Sequence, residues 1–494
     1  MLRVKRINEL FDVEEEFKVV SIHSDSRYVG KDSIFFCVDG LSVDGHKYIE
    51  DAVFQGAKCI VYSKPLAYKH RGVLYIKVNN VLDELNRVAD VFYDHPSYKM
   101  TMIGVTGSSG KTVVALMIKE VLSHYLKMGY IGTNNIEYAG VIEQCPYTTP
   151  ETIFMQRHLN DMVKRDVKGV TLEVSSHGLA LKRVDGVHFD IAIFTNVYEE
   201  HLDFHGTMEH LMASKAKLFT LIDEKGYAIL NTDEVRFYNL VKDSIRCHLL
   251  TYGIEHKAHV MARNIQLFID HSEFDLQIHD DLRHVSVPVL GRFNISNVLA
   301  VITSMLALEM PMDQVLESIG YIRGVDGRME LLEHPYPFTV IVDYCQHAKS
   351  FEKVFQFAKS VQTNGRIIAV FGAPGKKNYN KREKIGKLAN QYCNQVILTA
   401  EDNRDEDIHD ICLDIQEYLE KPVSVIIEDR RIAIEQAIEI ANHGDIILIL
   451  GKGHEQFMAS SIGNEPYPGD KYVALEAIDK IFKGEDENEL QQIY

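Results

Sequence analysis

The stretch GVTGSSGKTVV, residues 104–114, decides how this chain folds around its chemistry. It follows the apolar residues Met100, Met102 and Ile103 and breaks at a glycine-serine turn. It then opens into a segment whose apolar residues Val114, Met117, Ile118, Val121 and Leu122 recur at helical spacing. Strand, glycine-rich turn ending Gly-Lys-Thr, and helix together form a cradle for a triphosphate. The glycines let successive backbone N–H groups face the anion, Lys111 reaches its outer oxygens, and the Thr112 hydroxyl suits Mg²⁺. The helix N-terminus adds its own attraction for negative charge. The usual spacing asks for glycine where Val105 stands, with Gly104 one place early, so the agreement of strand, turn and helix carries the reading. Thr106, Gly107, Ser108, Ser109 and Gly110 complete this triphosphate loop.

Working outward, residues 19–78 alternate strand-like runs (IFFCV, KCIVY, VLYIKV) with the helical stretch HKYIEDAVFQGA, a small α/β unit that ends near Pro96 in the polar link DHPSYK. From the phosphate loop to about Gly327, strands and helices alternate, including VKGVTLEVSS and FDIAIFTNV. Strands that read as nearly unbroken Val/Ile/Leu runs between helices imply a parallel sheet buried on both faces. The last third repeats the rhythm through FTVIVDY, RIIAVFG, QVILTAE, VSVIIED and DIILILG, a doubly wound pattern. Ligands of such sheets bind beyond the carboxyl ends of the strands, where Asp343, Gly372, Glu401 and Gly451 fall.

At 494 residues the chain is too long for one hydrophobic core, and three domains are expected. The composition, 46% hydrophobic and 25% charged, is that of a globular protein. A formal net charge of −18 opposes a nucleic-acid backbone, and no basic patch offsets it. The seven cysteines are scattered and never spaced Cys-x-x-Cys, which points to free thiols in a reducing cytoplasm and away from structural zinc. The N-terminus MLRVKRINELFDVEEEF lacks the apolar run of a signal peptide, and nothing later approaches a membrane span. The acidic tail GEDENELQQIY, 484–494, reads as a frayed terminus.

Two further segments carry candidate chemistry. In TLEVSSHG, Glu173 stands near the end of a buried strand, where a carboxylate needs a partner: Mg²⁺ beside the phosphate loop, or a cap or salt bridge. FTNVYEEHLDFHG places Asn196, His201, Asp203 and His205 beyond another apolar strand. Each of these histidines, taken singly, is better explained by packing or surface placement than by ligation.

The spacing of these phrases resembles one family over nearly the whole chain: the Mur ligases, in the branch that makes a UDP-linked muramoyl tripeptide. The matching phrases are DSR (25–27), DGH (44–46), TGSSGKT, TTPE (148–151), LEVSSHGL, FTNVYEEHLDFHGTMEHLMASKAKLF, GRFNISN (291–297), VDGRME (325–330) and GKGHE (451–455), in family order. The resemblance implies three domains: residues 1–98 binding a UDP-sugar, 99–328 an ATP-binding domain of P-loop type, and 329–494 a Rossmann-like domain for the incoming amino acid. It implies a cytoplasmic, monomeric acid–amino-acid ligase of peptidoglycan precursor synthesis. ATP activates the carboxylate of UDP-MurNAc-L-Ala-D-Glu as an acyl phosphate, and the amine of a diamino acid displaces the phosphate. Two Mg²⁺ ions offset the repulsion between the two anions.

Residue by residue, the resemblance assigns Lys111 and Thr112 to the phosphates and the first Mg²⁺, Glu173 as a shared ligand, and His201 to the second metal. Lys215 matches the lysine that takes up CO₂ as a carbamate, which turns a cation into a carboxylate-like metal ligand. Ser26 and Arg27 match residues that meet the uridine diphosphate, and Thr148, Thr149, Ser175 and Arg183 those that bind the muramoyl dipeptide. Asn294 and Asn297 match an adenine-side phrase, and Arg328 and Asp343 match residues near the ribose and phosphates, which makes domain closure part of catalysis. The amino-acid pocket maps to Lys377, Asp402, Arg404, Gly451 and Glu455.

The family phrase Asp-Tyr-Ala-His-Thr is here DYCQH (343–347), so Gln346 replaces a histidine. Gly-Gly-Asp-Arg-Asp is here PGKKN (374–378), with Lys377 for an arginine and Lys376 for an acid, and Ser109 stands for an asparagine. Where diaminopimelate-adding members show Asp-Asn-Pro-Arg, this chain has Glu401, Asp402, Asn403 and Arg404. Arg404 suits the distal carboxylate of meso-diaminopimelate and Glu455 its ammonium, whereas Asp402 and Lys377 point to L-lysine; the balance favours diaminopimelate. A relative using another amino acid or acceptor, and a non-catalytic nucleotide-binding protein of the same fold, remain as alternatives.

Overall fold

The computed structural model describes residues 4–40, 43–376 and 379–480. Lys377 and the acidic tail lie outside the described residues. The chain divides into two compact units, residues 1–252 with 303–309, and residues 253–302 with 310–494.

Beside a two-stranded ribbon, Lys5–Arg6 with Lys18–Val19, the first unit carries two larger sheets. The smaller is four-stranded and parallel, in the order β1 (Ser21–His23), β2 (Ser33–Phe36), β3 (Ala57–Tyr62) and β4 (Leu74–Lys77). Helix α1 (Val81–Phe92) is N-capped by Asn80, whose side chain accepts from the N–H groups of Leu82 and Asp83. Its apolar stripe, Val81, Leu85, Val88, Ala89 and Phe92, closes one face of the sheet against Ile22, Ile34, Phe36, Cys59 and Val61. The segment after α1 is no open link. Pro96–Lys99 forms a 3₁₀ turn in which Ser97 is buried, because its hydroxyl accepts the His188 N–H at 3.1 Å.

The larger sheet is built on β5 (Thr101–Thr106), which runs into helix α2 (Lys111–Ser123). It continues through β6 (Met128–Ile131), α3 (Thr152–Lys164), β7 (Gly169–Glu173), α4 (Ser176–Ala180) and β8 (Phe189–Phe194). Short helix α5 (Leu202–His205), α6 (Met208–Ala216), β9 (Ile222–Asn231) and β10 (His248–Gly253) follow. The parallel order is β6–β7–β5–β8–β9–β10, so the central strands are covered on both faces and carry mostly apolar side chains. Every α2 residue expected to face the core is buried.

The second unit holds an antiparallel meander (Val260–Leu267, Ser272–Ile278, Asp281–Val287) and a six-stranded sheet. Its parallel strands are β11 (Thr339–Asp343), β12 (Ile367–Phe371), β13 (Gln395–Leu398), β14 (Val423–Ile426) and β15 (Ile446–Leu450). Helices α7 (Ala348–Val361), α8 (Tyr379–Tyr392) and α9 (Ile408–Gln416) cover one face, while α10 (Arg430–Glu439) and the segment around Val473–Ile478 cover the other. The last strand, β15, inserts between β11 and β12, so connections leave its neighbours toward opposite faces. That reversal opens a crevice at the carboxyl edge, where the sequence placed Asp343, Gly372, Glu401 and Gly451.

Candidate active site

The phosphate loop is held from below by the end of β8. Ser108 N–H donates to the Asn196 carbonyl (2.8 Å) and Ser109 N–H to Asn196 Oδ1 (2.9 Å), while Thr195 Oγ1 and Asn196 Nδ2 both donate to the Ser109 carbonyl. Gly110 has φ of 82°, and a Cβ on Gly107 would meet Thr195 Oγ1 at 1.9 Å, so neither glycine is replaceable without moving the loop. Thr106 Oγ1 is buried without a hydrogen-bond partner. Lys111 curls back so that its ammonium donates to the Gly107 and Ser108 carbonyls at 2.9 and 3.3 Å.

Glu173 is fully buried at the end of β7, the strand beside β5. Its carboxylate accepts from Thr112 Oγ1 (2.9 Å), Tyr130 OH (2.5 Å), Thr133 N (2.9 Å) and Thr133 Oγ1 (3.2 Å), all uncharged donors. Tyr130 and Thr133 were not recognised from sequence; Tyr130 lies in an apolar strand whose pattern carries no chemical signal. The 2.9 Å between Thr112 Oγ1 and Glu173 Oε2 matches the edge of an octahedron of oxygens about 2.1 Å from Mg²⁺, so this pair fits the cation.

The other two metal candidates are joined by a residue the sequence reading left unassigned. Lys215 is buried, and its ammonium lies 2.8 Å from Glu200 Oε1; His201 Nε2 lies 3.9 Å from Glu200 Oε2. Burial lowers the Lys215 amine to about 8, against the pull of Glu200. His201 adopts a left-handed backbone (φ 51°) at the start of α5, and its ring packs 4.6 Å from that of His177. Burial, with His201 and His205 beside it, lowers His177 to about 4 and keeps it neutral. His205 Nε2 is 3.0 Å from Ser176 Oγ. Among the described residues no three His, Cys, Asp or Glu side chains already converge as a metal cage.

The dipeptide candidates gather on the same strand end. Thr133 Oγ1 lies 3.0 Å from Thr148 Oγ1, and Thr149 Oγ1 donates to the Glu173 carbonyl (2.9 Å). Ser175 Oγ lies 3.1 Å from Thr149 Oγ1 and caps α4 by accepting from Gly178 N–H. Arg183 Nη1 donates to the Thr149 carbonyl (2.9 Å), and its guanidinium lies 4.5 Å from the Tyr147 ring centroid. Ser26 and Arg27 belong instead to the small sheet, in a 3₁₀ turn after β1 where Arg27 makes an exposed two-point pair with Asp25. In the DGH phrase, Asp44 gathers His46 Nδ1 (2.7 Å) and Lys64 Nζ (2.8 Å).

In the second unit, Asn294 Nδ2 donates to the Leu290 carbonyl and Asn297 Nδ2 to Asn294 Oδ1, both buried. The Arg328 guanidinium lies 4.4 Å from the Tyr344 ring centroid with its Nε buried and unpartnered. Asp343 accepts from Met329 N–H (2.7 Å) and from the Cys345 thiol (2.9 Å); burial raises its carboxyl. Gln346, which stands for the family histidine, donates to the Gly451 carbonyl at 2.8 Å and so ties β11 to β15.

The amino-acid candidates are organised by Lys452, a second residue the sequence reading passed over although it sits inside GKGHE. Its wholly buried ammonium donates to Asp402 Oδ1 (2.7 Å) and to Glu455 Oε2, and lies 4.6 Å from the Phe457 ring centroid. Asp402 also accepts from Ala459 N–H, and Glu455 from Tyr344 OH (2.8 Å). Asp402, read from sequence as an added negative charge, is therefore compensated from within the fold. Arg404, at φ 56°, donates from Nη1 to the Gly375 carbonyl, and among the described residues it forms no salt bridge to the acidic loop around it.

The family's models match along the chain: its N-terminal model, described as Mur ligase family, catalytic domain, over residues 18–93; the middle domain over 105–305; and the glutamate ligase domain over 327–453. The chain belongs to the Mur ligase family, the ATP-dependent peptide ligases. A UDP-N-acetylmuramoyl-L-alanyl-D-glutamate–2,6-diaminopimelate ligase of Halalkalibacterium halodurans is 35% identical over 93% of this chain and 94% of its own length. One of the same name from Clostridioides difficile is 35% identical over 95% and 96%. A solved structure of a ligase with that name superposes with a TM-score of 0.72 at 25% identity, covering 97% of this chain and 99% of the other. Among the described residues no helix is long and apolar enough to cross a membrane.

Proposed function

We propose that this enzyme joins meso-diaminopimelate to UDP-MurNAc-L-Ala-D-Glu in the cytoplasm, in peptidoglycan precursor synthesis, acting as a monomer. The observation that carries the reading is the convergence of Thr112, Glu173, Thr148, Thr149, Ser175 and Arg183 on one strand end, in a chain 35% identical to named diaminopimelate ligases.

The chain's residues divide the work. The loop 106–112 and Lys111 orient the triphosphate, and Thr149, Ser175 and Arg183 orient the acceptor so that its carboxylate meets the γ-phosphorus. Asn294, Asn297, Arg328 and Asp343 serve the nucleoside side, and Ser26 and Arg27 the uridine diphosphate. Thr112 and Glu173 would hold one Mg²⁺, and His201 with the Lys215 carbamate a second; bound there, the ions offset charge as two anions are drawn together. Carbamylation needs an uncharged amine, and the burial of Lys215, which lowers its amine to about 8, supplies a minor uncharged fraction at neutral pH. It also turns the ion pair with Glu200 into two adjacent anions, an arrangement that calls for a divalent cation beside them.

For the amino acid, the ion pair of Asp402 with Lys452, an ammonium shared with Glu455, weakens the charge objection to a second carboxylate and leaves Arg404 to receive it. Lys377, Gly451 and Glu455 complete that pocket in this reading. The deciding experiment mixes enzyme, ATP, Mg²⁺ and UDP-MurNAc-L-Ala-D-Glu with meso-diaminopimelate, L-lysine or L-ornithine, and follows ADP release and product mass. The expected result is a tripeptide with diaminopimelate at the highest kcat/KM. Turnover led by L-lysine refutes the amino-acid assignment, and no ADP release with any of them refutes the ligase reading.

A further inference from the structure

Helix α1 belongs to the small sheet, yet one of its side chains is committed to the larger one. Asn86 lies at the flank of the apolar stripe, 3% exposed, and a buried amide must find partners for both ends. Its Nδ2 donates to the Lys182 carbonyl at 2.9 Å, and its Oδ1 accepts from Thr152 Oγ1 at 2.5 Å. Thr152 opens α3 directly after the TTPE phrase, and its hydroxyl also lies 3.3 Å from the Arg183 carbonyl. One asparagine thus touches both segments that flank the dipeptide candidates: the start of α3 behind Thr148 and Thr149, and the peptide just before Arg183.

The backbone there is not relaxed. Lys182 has φ of 56°, a left-handed conformation that persists only where neighbours over-determine it. Asn86 holds its carbonyl, and Gln156 Nε2 holds that of Gly186 at 2.6 Å. A Cβ on Gly186 would come within 2.8 Å of the Asn86 carbonyl oxygen, so the loop lies flat on α1. The exposed Lys182–Asp83 pair at 2.5 Å adds little beside these bonds.

We propose that Asn86 is a positioning residue for the acceptor: it fixes the Lys182–Arg183 peptide relative to Thr149, and so sets where the Arg183 guanidinium meets the bound UDP-MurNAc-dipeptide. The inference rests on the reading that Thr149, Ser175 and Arg183 hold that substrate. It places a determinant of acceptor affinity on the helix of the small sheet, where no substrate contact is assigned.

The test measures steady-state kinetics with UDP-MurNAc-L-Ala-D-Glu and ATP varied separately, with unfolding midpoints for every variant. Asn86→Ala is expected to raise KM for the acceptor about tenfold, with kcat and KM for ATP within about twofold of the parent. Thr152→Val should shift KM for the acceptor the same way by a smaller factor, and Thr152→Ser, which keeps the hydroxyl, should restore it; this pair serves if Asn86→Ala does not fold. Arg183→Ala separates the two levels of the argument. If it leaves KM for the acceptor unchanged, the acceptor assignment itself is wrong. If it raises that KM while Asn86→Ala and Thr152→Val lower only the unfolding midpoint, or move kcat and both KM values together, Asn86 is structural and the inference is overturned.

Discussion

Two regions of this molecule bury carboxylates at the carboxyl ends of parallel strands, and they treat them in opposite ways. At the end of β7, Glu173 is held by the hydroxyl and amide donors of Thr112, Tyr130 and Thr133, with no cation among its hydrogen-bond partners in the described residues. At the ends of β13 and β15, Asp402 and Glu455 share the ammonium of Lys452, Arg430 is locked to Asp470, and Lys381 approaches Glu401 at 3.3 Å. Neutral donors satisfy a carboxylate's lone pairs while leaving its charge uncompensated, the arrangement expected of the Mg²⁺ ligand proposed for Glu173. Ion pairs offset most of the charge in advance: the single Lys452 ammonium between Asp402 and Glu455 leaves one net negative charge, and the Arg430–Asp470 and Lys381–Glu401 pairs leave none, an arrangement that suits the proposed amino-acid pocket. Buried Glu401 shows the cost of that arrangement: one oxygen is unpartnered and burial raises its carboxyl.

The contrast breaks most readily at Glu173. Glu173→Gln keeps the size and most of the hydrogen bonding but removes the charge, and turnover is expected to fall roughly a thousandfold with the unfolding midpoint little changed. Full activity in the presence of Mg²⁺ would show that the charge at β7 is not what the site uses. In the second region the prediction concerns stability first. Lys452→Met leaves Asp402 and Glu455 facing each other uncompensated and should cost about 3 kcal/mol in urea unfolding, with weaker binding of the amino acid. Pairing it with Asp402→Asn should recover part of that loss; strictly additive effects would mean the ion pair is not the organising unit.

Lys215 sharpens the comparison, because it is the cation that the first region holds against burial. Its folded-state amine, lowered to about 8 from the ordinary 10.5, is charged and costly below pH 8, and that cost is relieved as pH rises from 8 toward 10.5. The initial rate of ¹³C-labelled CO₂ uptake at fixed dissolved CO₂, followed by NMR, should rise about tenfold from pH 7 to 9 with its half-rise near 8, as the uncharged amine attacks CO₂ and releases a proton. A flat profile would mean that Glu200 keeps the amine charged throughout. The smallest effect is expected at Arg27, whose exposed pair with Asp25 adds little to folding. Arg27→Ala should leave the unfolding midpoint unchanged and raise KM for the UDP-linked acceptor by less than about fivefold; a large drop in midpoint would contradict the weight given to exposed pairs.

Much of the architecture was legible along the chain. Apolar runs such as DIILILG and FDIAIFTNV can lie only between covered faces, and the helical spacing after GSSGKT marks α2 down to the residues it buries. Ordered phrases singled out Lys111, Glu173 and Lys215 as candidates, because the phosphate, metal and carbamate chemistry proposed for them each demands a particular side chain at a strand or helix end. What stayed hidden were partners whose types carry no signal. Tyr130 looks like any strand aromatic, Asn86 like any polar flank of an amphipathic helix, and Glu200 and Lys452 stood inside quoted phrases without an assigned role.

The amino-acid order by itself determined the alternation of strands and helices, the phosphate loop and the list of groups able to do chemistry, since each follows from local periodicity and side-chain type. Only the tertiary structure decided which charges cancel. Whether Asp402 repels a carboxylate depends on an ammonium 50 positions away in sequence and 2.7 Å away in space. Whether Lys215 loses its proton near neutrality depends on the burial around it. Electrostatic energies depend on distance and on exclusion of water, and neither is written in the order of the residues.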